Sequence, residues 1–310
     1  VPFKIKNSDE YFLVWTTTPW TLIANVALCV NPDEEYVKVE SMGYKFILAH
    51  ALCNKVLGED YKVLETFKGK DLENTEYEQL MPFLKPEGKA FYVTCDNYVT
   101  MEDGTGVVHI APAYGADDNN VCRRYNIPML NPVDLSGCYT EGPWKGRHVT
   151  DSELEIEIIK WLKENDKLFK KIKISHNYPH CWRCKSPLIY MAKPAWYIKV
   201  SEYRDKMVEA NKQVNWYPDY VGEKRFGNWL LNAQDWGISR SRYWGCPIPL
   251  WTCECGHMEM IGSIDELVNK SIEKIDHDID LHKPYVDNVH IKCEKCGKAM
   301  NRIPDVIDVW

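Results

Sequence analysis

The stretch WTTTPWTL at residues 15–22 places three consecutive threonines directly before a proline and a tryptophan. Threonine favours strands because its β-branched side chain packs well on a pleated surface. A threonine-rich strand that runs into a proline turn is therefore the simplest interpretation. In such a strand Thr16 and Thr18 share one face and Thr17 points away. Two hydroxyls on one face can bind a phosphate, a ribose or a water molecule, so the stretch is also a candidate binding site.

Short β-like runs fill much of the surrounding region, residues 1–149. Turn signals such as Asn31-Pro32-Asp33 and Met42-Gly43 separate them. The predicted strands are Tyr11–Thr16, Ala27–Val30, Tyr36–Glu40, Lys45–Ala49, Tyr61–Phe67, Ala90–Cys95 and Gly106–Ala111. Many short strands at this spacing predict a closed or sandwiched β domain.

A second stretch, GTGVVHIAPAYGADD, covers residues 104–118. Its two glycines are too few and too close together for a dinucleotide or P-loop fingerprint. The residues alone predict a hairpin strand and a turn, with His109 as an ordinary strand histidine. Asp117 or Asp118 would then cap a helix that begins near Asn119.

Residues 150–170 predict one helix, with Thr150 and Glu153 as a capping box and an apolar face that includes Leu154 and Ile158. The character of the chain changes after a lysine-rich segment, and we place a domain boundary near residue 174. Seven of the twelve tryptophans lie between Trp182 and Trp251. The stretch WGISRSRYWG at residues 236–245 contains two arginines. It is either a solvated basic turn or a segment whose arginines bind an anion.

The cysteines are clustered in a pattern typical of metal ligands. Cys253 and Cys255 form a C-x-C-G turn, and Cys293 and Cys296 form a C-x-x-C-G turn. Two such knuckles resemble a zinc ribbon with four thiolate ligands. Cys181 and Cys184 form a third knuckle for which the sequence shows no partner pair, although His176 and His180 lie nearby. Clustered pairs without a secretory signal indicate a reducing compartment.

Composition restricts the remaining possibilities. The chain has 310 residues, 45% of them hydrophobic and 27% charged, which excludes wholesale disorder and fits about two domains. The net charge of −7 argues against a generic basic coat for nucleic acid. No apolar run approaches about 18 residues, so no membrane span is expected. Because the sequence has no initiator Met and ends within an apolar run, we expect it to be a fragment.

Together these stretches, with HCWRC at residues 180–184 and DVIDVW at 305–310, resemble the isoleucyl-tRNA synthetases, a family of class I aminoacyl-tRNA synthetases. The resemblance implies an α/β protein: a β-barrel-like editing domain (1–174), part of a nucleotide-binding, Rossmann-type catalytic domain with a cysteine knuckle (175–251), a zinc-binding insertion (252–304) and a strand stub (305–310). The HIGH and KMSKS motifs are absent from these residues. ATP and Mg are therefore expected for the full-length enzyme only, and the rest of the synthetase chain is an expected partner.

The resemblance also implies a reaction and a set of site residues. The editing domain would hydrolyse the ester of valine on the 3′ end of tRNA(Ile), because valine differs from isoleucine by only one methylene and a single binding step discriminates poorly. The implied residues are Thr16, Thr17, Thr18 and Asp118 for catalysis, Trp20, His109 and Trp310 for substrate binding, and Cys253, Cys255, Cys293 and Cys296 for structural zinc. Asp118 would anchor the α-ammonium, and His109 would form a wall of the side-chain pocket.

The same resemblance leaves Cys181 and Cys184 as half of a metal site, because their usual partners lie upstream of the editing domain. A cytoplasmic location is expected. Two alternatives remain open at this stage. One is a non-catalytic RNA-binding zinc protein. The other is a metal-dependent hydrolase, which is disfavoured because four cysteine ligands leave the metal no open position for water.

Overall fold

A computed structural model describes residues 1–174 and 178–308 and divides the chain into two units, Val1–Ala192 and Lys193–Trp310. The first unit extends beyond the boundary expected near residue 174. Ile189 and Met191 pack against its core, and the amide of Ala192 donates to the carbonyl of Ala113 at 2.6 Å. Among the described residues, no helix has both the length and the apolar character needed to cross a membrane.

The first unit contains two sheets with short helices beside them. Its strands are β1 (Pro2–Lys4), β2 (Glu10–Leu13), β3 (Ala27–Val30), β4 (Glu35–Ser41), β5 (Tyr44–Ala49), β6 (Lys62–Lys68), β7 (Tyr92–Cys95) and β8 (Val107–Ile110). The larger sheet has the order β1-β2-β5-β4-β6 and the smaller one has the order β7-β3-β8. β2 pairs with β5, and β3 with β7, in parallel, and the other pairs are antiparallel. These ranges confirm the predicted strands to within one residue, except that β2 ends three residues early and β7 begins two residues late.

Local sequence explains several of these elements. Met42 and Gly43 both have positive φ, 51° and 79°, as a two-residue hairpin turn between β4 and β5 requires. β3 is buried along its whole length, which agrees with its unbroken apolar sequence and its place between β7 and β8. The core of the unit packs large side chains such as Phe3 and Tyr77 at no measurable exposure.

The helices of the first unit are α1 (Cys53–Leu57), α2 (Ala116–Tyr125) and α3 (Ser152–Glu164), with 3₁₀ segments at Pro19–Ala24, His50–Leu52 and Gly69–Leu72. α3 buries Leu154, Ile158 and Leu162, which recur every four residues on one face. The predicted capping box at Thr150 is wrong. The side chain of Asp151 caps this helix instead, by accepting a hydrogen bond from the amide of Glu153 at 2.9 Å.

The second unit consists of shorter elements. Its helices are α4 (Arg204–Asn211), α5 (Gly227–Leu231) and α6 (Ile264–Lys270), with a π-helical segment at Val221–Phe226 and 3₁₀ segments at Val200–Tyr203 and Val286–Asn288. Its strands are β9 (Tyr197–Ile198), β10 (Trp236–Gly237), β11 (Ser239–Arg240), β12 (Leu250–Thr252), β13 (Met258–Met260), β14 (Ile291–Lys292), β15 (Ala299–Arg302) and β16 (Val306–Ile307).

The main feature of the second unit is an antiparallel sheet with the order β13-β12-β15-β14. Its core contains Trp251, Leu267 and Met300. The side chain of Arg302 is fully buried, and it donates to Asp287 and to the carbonyls of Ile248 and Asp305 at 3.1 and 3.0 Å. A buried guanidinium with all these acceptors joins the end of β15 to the segments beside it. Both units are therefore mixed α/β structures built around sheets.

Candidate functional sites

The three threonines lie in a bend and not in the predicted strand. β2 ends at Leu13, and a 3₁₀ helix begins at Pro19, directly after Thr18. The amide of Thr18 donates to Oγ1 of Thr16 at 3.1 Å, a local bond that turns the chain. The strand prediction is wrong because Pro19 has a fixed φ at the start of the 3₁₀ helix and the bond from Thr18 to Thr16 turns the chain. Thr16 and Thr18 are nevertheless half-buried while Thr17 is exposed, so Thr17 is set apart from the other two as expected.

Trp15 places this bend beside β8. It forms a parallel bridge with Val108, the residue before His109. The Trp15 ring lies against Gly104, where a Cβ would stand 2.9 Å from the ring and where φ is +79°. Gly106 is equally restricted, because φ is +71° and a Cβ would lie 2.4 Å from Ala49. The two glycines of the GTG stretch thus allow close packing at the start of β8.

His109 is joined to Thr18 through a residue absent from the predicted site, Thr21. Oγ1 of Thr21 lies 3.0 Å from Nε2 of His109 and 3.2 Å from Oγ1 of Thr18. His109 is only 7% exposed, and burial lowers the pKa of its imidazole to about 4, so the ring is neutral at pH 7. Its Nδ1 has no hydrogen-bond partner among the described residues. The only sequence signal for Thr21 is its position three residues after Thr18, across Pro19.

Asp118 lies in the first turn of α2, which begins at Ala116 and not near Asn119. Neither Asp117 nor Asp118 is the N-cap residue, because Gly115 takes that position. The Asp118 carboxylate instead accepts from the amide of Ala111, just beyond the end of β8, at 2.9 Å. A Cβ on Gly115 would lie 2.9 Å from the carboxyl carbon, so glycine is needed beside it.

The environment of Asp118 suits the binding of a cationic group beside its carboxylate. Its second polar neighbour is the hydroxyl of Tyr98, which donates to Oδ1 at 3.5 Å. Burial raises the pKa of the carboxyl to about 6, and the charge of Asp117 contributes in the same direction. An ammonium group placed here would stabilise the ionised form and reverse that shift. We call Thr16, Thr18, Thr21, His109 and Asp118 the threonine–histidine site.

Two further predicted binding residues are tryptophans. Trp20 is half-buried, and its ring meets that of Tyr114 edge-on with centroids 4.8 Å apart. Its carbonyl accepts from the hydroxyl of Tyr139 at 2.5 Å, which holds the start of the 3₁₀ segment. Trp310 lies outside the described residues.

The four cysteines predicted as metal ligands come together, and we call them the cysteine cluster. Cys253 and Cys255 lie in the turn between β12 and β13, and Cys293 and Cys296 lie in the turn between β14 and β15. Because β12 pairs with β15, the two turns meet at one end of the sheet. All four Sγ atoms lie within 4.8 Å of one another.

The spacing of these sulfur atoms fits a tetrahedral metal ion. Zn–S bonds of about 2.3 Å place the sulfurs of a tetrahedral site about 3.8 Å apart. The Cys253–Cys296 and Cys255–Cys293 sulfurs are 3.4 and 3.7 Å apart. Each turn closes through a glycine with positive φ, Gly256 at 83° and Gly297 at 75°. The amides of these glycines donate to the carbonyls of Cys253 and Cys293 at 2.9 and 2.8 Å.

The third cysteine knuckle has the same backbone geometry but too few ligands. Lys185 takes the place of the glycine, with φ of 61°, and its amide donates to the carbonyl of Cys181 at 2.8 Å. The thiol of Cys184 lies 3.3 Å from the hydroxyl of Ser186. Within residues 1–174 and 178–308, the cysteine cluster is the only group of three or more His, Cys, Asp or Glu side chains close enough to share a metal ion. His176 lies outside the described residues, and Nδ1 of His180 contacts the carbonyl of Tyr178 at 2.9 Å.

Comparison with known proteins identifies the family. Residues 8–310 match the family model described as tRNA synthetases class I (I, L, M and V). The chain belongs to this family. It is 51% identical to an isoleucine–tRNA ligase of Clostridium novyi (strain NT) and 49% identical to one of Clostridium tetani (strain Massachusetts / E88). Both matches cover 100% of this chain and 30% of the relative, so the chain spans about a third of the length of these curated relatives.

Two solved structures match part of the chain. The editing domain of the cytosolic leucyl-tRNA synthetase of P. knowlesi matches 51% of this chain and 82% of that domain, at 13% identity and a TM-score of 0.42. The corresponding P. falciparum domain matches 52% of this chain and 78% of that domain, at 14% identity and a TM-score of 0.40.

Proposed function

We propose that the first unit hydrolyses the ester of valine on the 3′ end of tRNA(Ile), as the editing part of an isoleucine–tRNA ligase. The observation that carries this proposal is the placement of a desolvated carboxylate and a buried neutral histidine at the same end of β8. Asp118 reaches the amide of Ala111, and His109 lies two residues earlier on the same strand. The first suits an α-ammonium, and the second suits the wall of an apolar side-chain pocket.

The mechanism requires positioning more than covalent chemistry. Asp118 pairs with the α-ammonium and fixes the ester, and the hydroxyls of Thr16 and Thr18 orient a water molecule or the ribose. The water oxygen bonds to the carbonyl carbon, and the bond from that carbon to the ribose oxygen breaks. One water proton passes to the ribose oxygen, and the second is released as valine leaves as a carboxylate. His109 stays neutral throughout and limits the size of the side chain that fits.

The other expected residues belong to the same proposal with different roles. Trp20 shapes the pocket for the terminal adenosine, and Thr17, being exposed, contributes through the backbone of the bend. Trp310 remains a prediction for the isoleucine pocket of the synthetic site. The division into editing, catalytic and zinc-bearing segments, the β-barrel-like form of the editing domain and the Rossmann-type fold also remain proposals, as do ATP and Mg for the full-length enzyme.

We propose zinc as the ion of the cysteine cluster, because four thiolates at this spacing suit its tetrahedral preference. Cys253, Cys255, Cys293 and Cys296 would hold it, and all four coordination positions would be filled. The ion would therefore supply structure and no Lewis-acid chemistry. Cys181 and Cys184 would complete a second site only with ligands from the rest of the synthetase chain. Such free thiols also suit a reducing compartment such as the cytoplasm.

A deacylation assay tests the proposal. The chain is incubated with tRNA(Ile) that carries valine or isoleucine, and release of each amino acid is followed over time. Faster hydrolysis of the valyl ester, beyond the rate without protein, is expected. Binding of the tRNA with no hydrolysis of either ester would favour the alternative of a non-catalytic RNA-binding zinc protein.

A further inference from the structure

The hydroxyl of Thr21 is surrounded by three polar atoms. Its Oγ1 lies 2.8 Å from the carbonyl oxygen of Thr18, 3.2 Å from Oγ1 of Thr18 and 3.0 Å from Nε2 of His109. A threonine hydroxyl has one hydrogen and two lone pairs, so three neighbours use its full capacity. The group is buried, since Thr21 is only 5% exposed.

The direction of each of these hydrogen bonds follows from elimination. A carbonyl oxygen only accepts, so the single hydrogen of Thr21 must point at the carbonyl of Thr18. Any other assignment would place two oxygens 2.8 Å apart with no hydrogen between them. This bond to the residue three positions earlier is a common local pattern for threonine. The oxygen of Thr21 therefore accepts from both the Thr18 hydroxyl and Nε2 of His109.

We propose that Thr21 is a positioning residue, whose hydroxyl fixes His109 as the Nε2–H tautomer and turns the hydrogen of the Thr18 hydroxyl inward. The neutral imidazole has one proton, and Thr21 holds it at Nε2. Nδ1 is then a bare acceptor, which agrees with its lack of a partner among the described residues. A proton at Nδ1 would instead leave a buried donor without a partner. It would also leave the lone pair of Nε2 facing a lone pair of the Thr21 oxygen, so this tautomer costs more than the Nε2–H tautomer.

This inference rests on the proposed editing function and specifies how Thr18 acts in it. Because the Thr18 hydroxyl donates its hydrogen to Thr21, its oxygen can only accept hydrogen bonds from a bound substrate. Thr18 therefore accepts a hydrogen from the attacking water and does not donate to the ester carbonyl. A water held in this way keeps a lone pair free for the carbonyl carbon. His109, with its proton tied to Thr21, serves as a fixed wall and not as an acid or a base.

The experiment compares the unchanged chain with Thr21→Val, which keeps the shape and removes the hydroxyl, and with Thr21→Ser, which keeps the hydroxyl. Long-range proton–nitrogen NMR of the histidine rings at pH 7 distinguishes a protonated ring nitrogen from a bare one. His109→Gln identifies the His109 signals among those of the nine histidines. We expect a protonated Nε2 and a bare Nδ1 in the unchanged chain and in Thr21→Ser, and a mixture of tautomers in Thr21→Val.

Hydrolysis provides the second measurement. Thr21→Val removes all three hydrogen bonds of the hydroxyl, and of these the bond that orients Thr18 bears on the attacking water. Loss of that one bond lowers kcat for the valyl ester by about tenfold, with KM nearly unchanged, and Thr21→Ser restores most of the rate. A proton on Nδ1 of the unchanged chain overturns the inference, and so does an unaltered tautomer with full kcat in Thr21→Val. If Thr21→Val fails to fold, the tautomer of His109 in the unchanged chain still tests the inference.

These outcomes separate the inference from the proposed function. A chain with the expected tautomer that hydrolyses neither ester overturns the editing proposal and retains the role of Thr21 toward His109. A chain that hydrolyses the valyl ester with the opposite tautomer retains the editing proposal and overturns the role of Thr21.

Discussion

In the cysteine cluster the closest neighbours of the four sulfur atoms are one another. In the threonine–histidine site, in contrast, nearly every side-chain polar atom has a hydrogen-bond partner within the protein. The sulfurs of Cys253 and Cys296 are 3.4 Å apart, a spacing that suits two thiolates bound to one tetrahedral cation. Thr21, in contrast, satisfies three neighbours within the chain. If the proposed zinc is bound, the first site depends on an ion for its structure, whereas the hydrogen bonds of the second site form within the chain alone.

The largest effect expected from this contrast is the loss of metal from the second unit. Cys293→Ser removes one of four thiolates and should reduce the bound zinc from about one per chain to near zero. Structural zinc contributes roughly 10–16 kcal/mol in small zinc domains, so the sheet around Trp251 should lose its protection from hydrogen exchange. Elemental analysis and exchange mass spectrometry measure the two effects.

Cys181→Ser is the matched control for the metal prediction. It changes a knuckle with the same backbone turn but only two thiols, so zinc content should stay near one. Hydrolysis of the valyl ester should also survive Cys293→Ser, because all residues of the threonine–histidine site belong to the first unit. Two tightly held zinc ions, one of them lost in Cys181→Ser, would contradict the assignment of that knuckle as a half-site.

The next largest effect concerns the anchor of the threonine–histidine site. Asp118→Ala should lower hydrolysis of the valyl ester by roughly 30-fold to several thousand-fold, because removal of one partner of a desolvated ion pair costs about 2–5 kcal/mol. Asp117→Ala, one residue away and exposed, is the control and should retain most of the rate. Near-normal hydrolysis by a folded Asp118→Ala protein would exclude the anchor role.

The two sites also differ in how far sequence alone could predict them. The cysteine cluster follows from spacing, because each pair lies within one turn and a glycine directly follows it. The threonine–histidine site depends on contacts between distant residues. Thr21 meets His109 across 88 positions, and Tyr98 meets Asp118 across 20, and no local pattern signals either pair.

The error in the predicted threonine strand has a related cause. Threonine propensity predicts a strand through Thr16, but Pro19 and the bond from Thr18 to Thr16 turn the chain out of the sheet. The boundary expected near residue 174 rests on a change in composition. The chain remains in the first unit as far as Ala192, because packing of Ile189 and Met191 holds it there.

A smaller effect tests whether His109 sets the size limit of the pocket. His109→Ala should raise hydrolysis of the isoleucyl ester relative to the valyl ester by about tenfold or more, since one methylene is worth about 1–3 kcal/mol, or roughly 10- to 200-fold. His109→Gln keeps a larger side chain and should change the ratio less. The measurement is kcat/KM for both esters in each variant. An unchanged ratio in His109→Ala would leave His109 with a purely structural role.

The smallest expected effect is a pH dependence from Asp118. Its pKa of about 6 means that the carboxyl is mostly protonated at pH 5, where it cannot pair with an ammonium. The value of kcat/KM should therefore fall about tenfold from pH 7 to pH 5, with the midpoint near the pKa of the free protein. His109 does not contribute to this midpoint, because its pKa of about 4 keeps it neutral over most of that range.

Stability should change in the opposite direction over the same range. The folded pKa of Asp118 lies above its ordinary 3.8, so the folded state binds the proton more tightly than the unfolded state. The contribution of this group to the free energy of unfolding is therefore greatest in acid and declines as pH rises from 3.8 to about 6. Asp118→Asn, which cannot ionise, should remove that decline, as denaturant titrations of both proteins at several pH values would show. A decline that persists in Asp118→Asn would assign it to another group, and the raised pKa of Asp118 would then no longer explain the acid limb of hydrolysis.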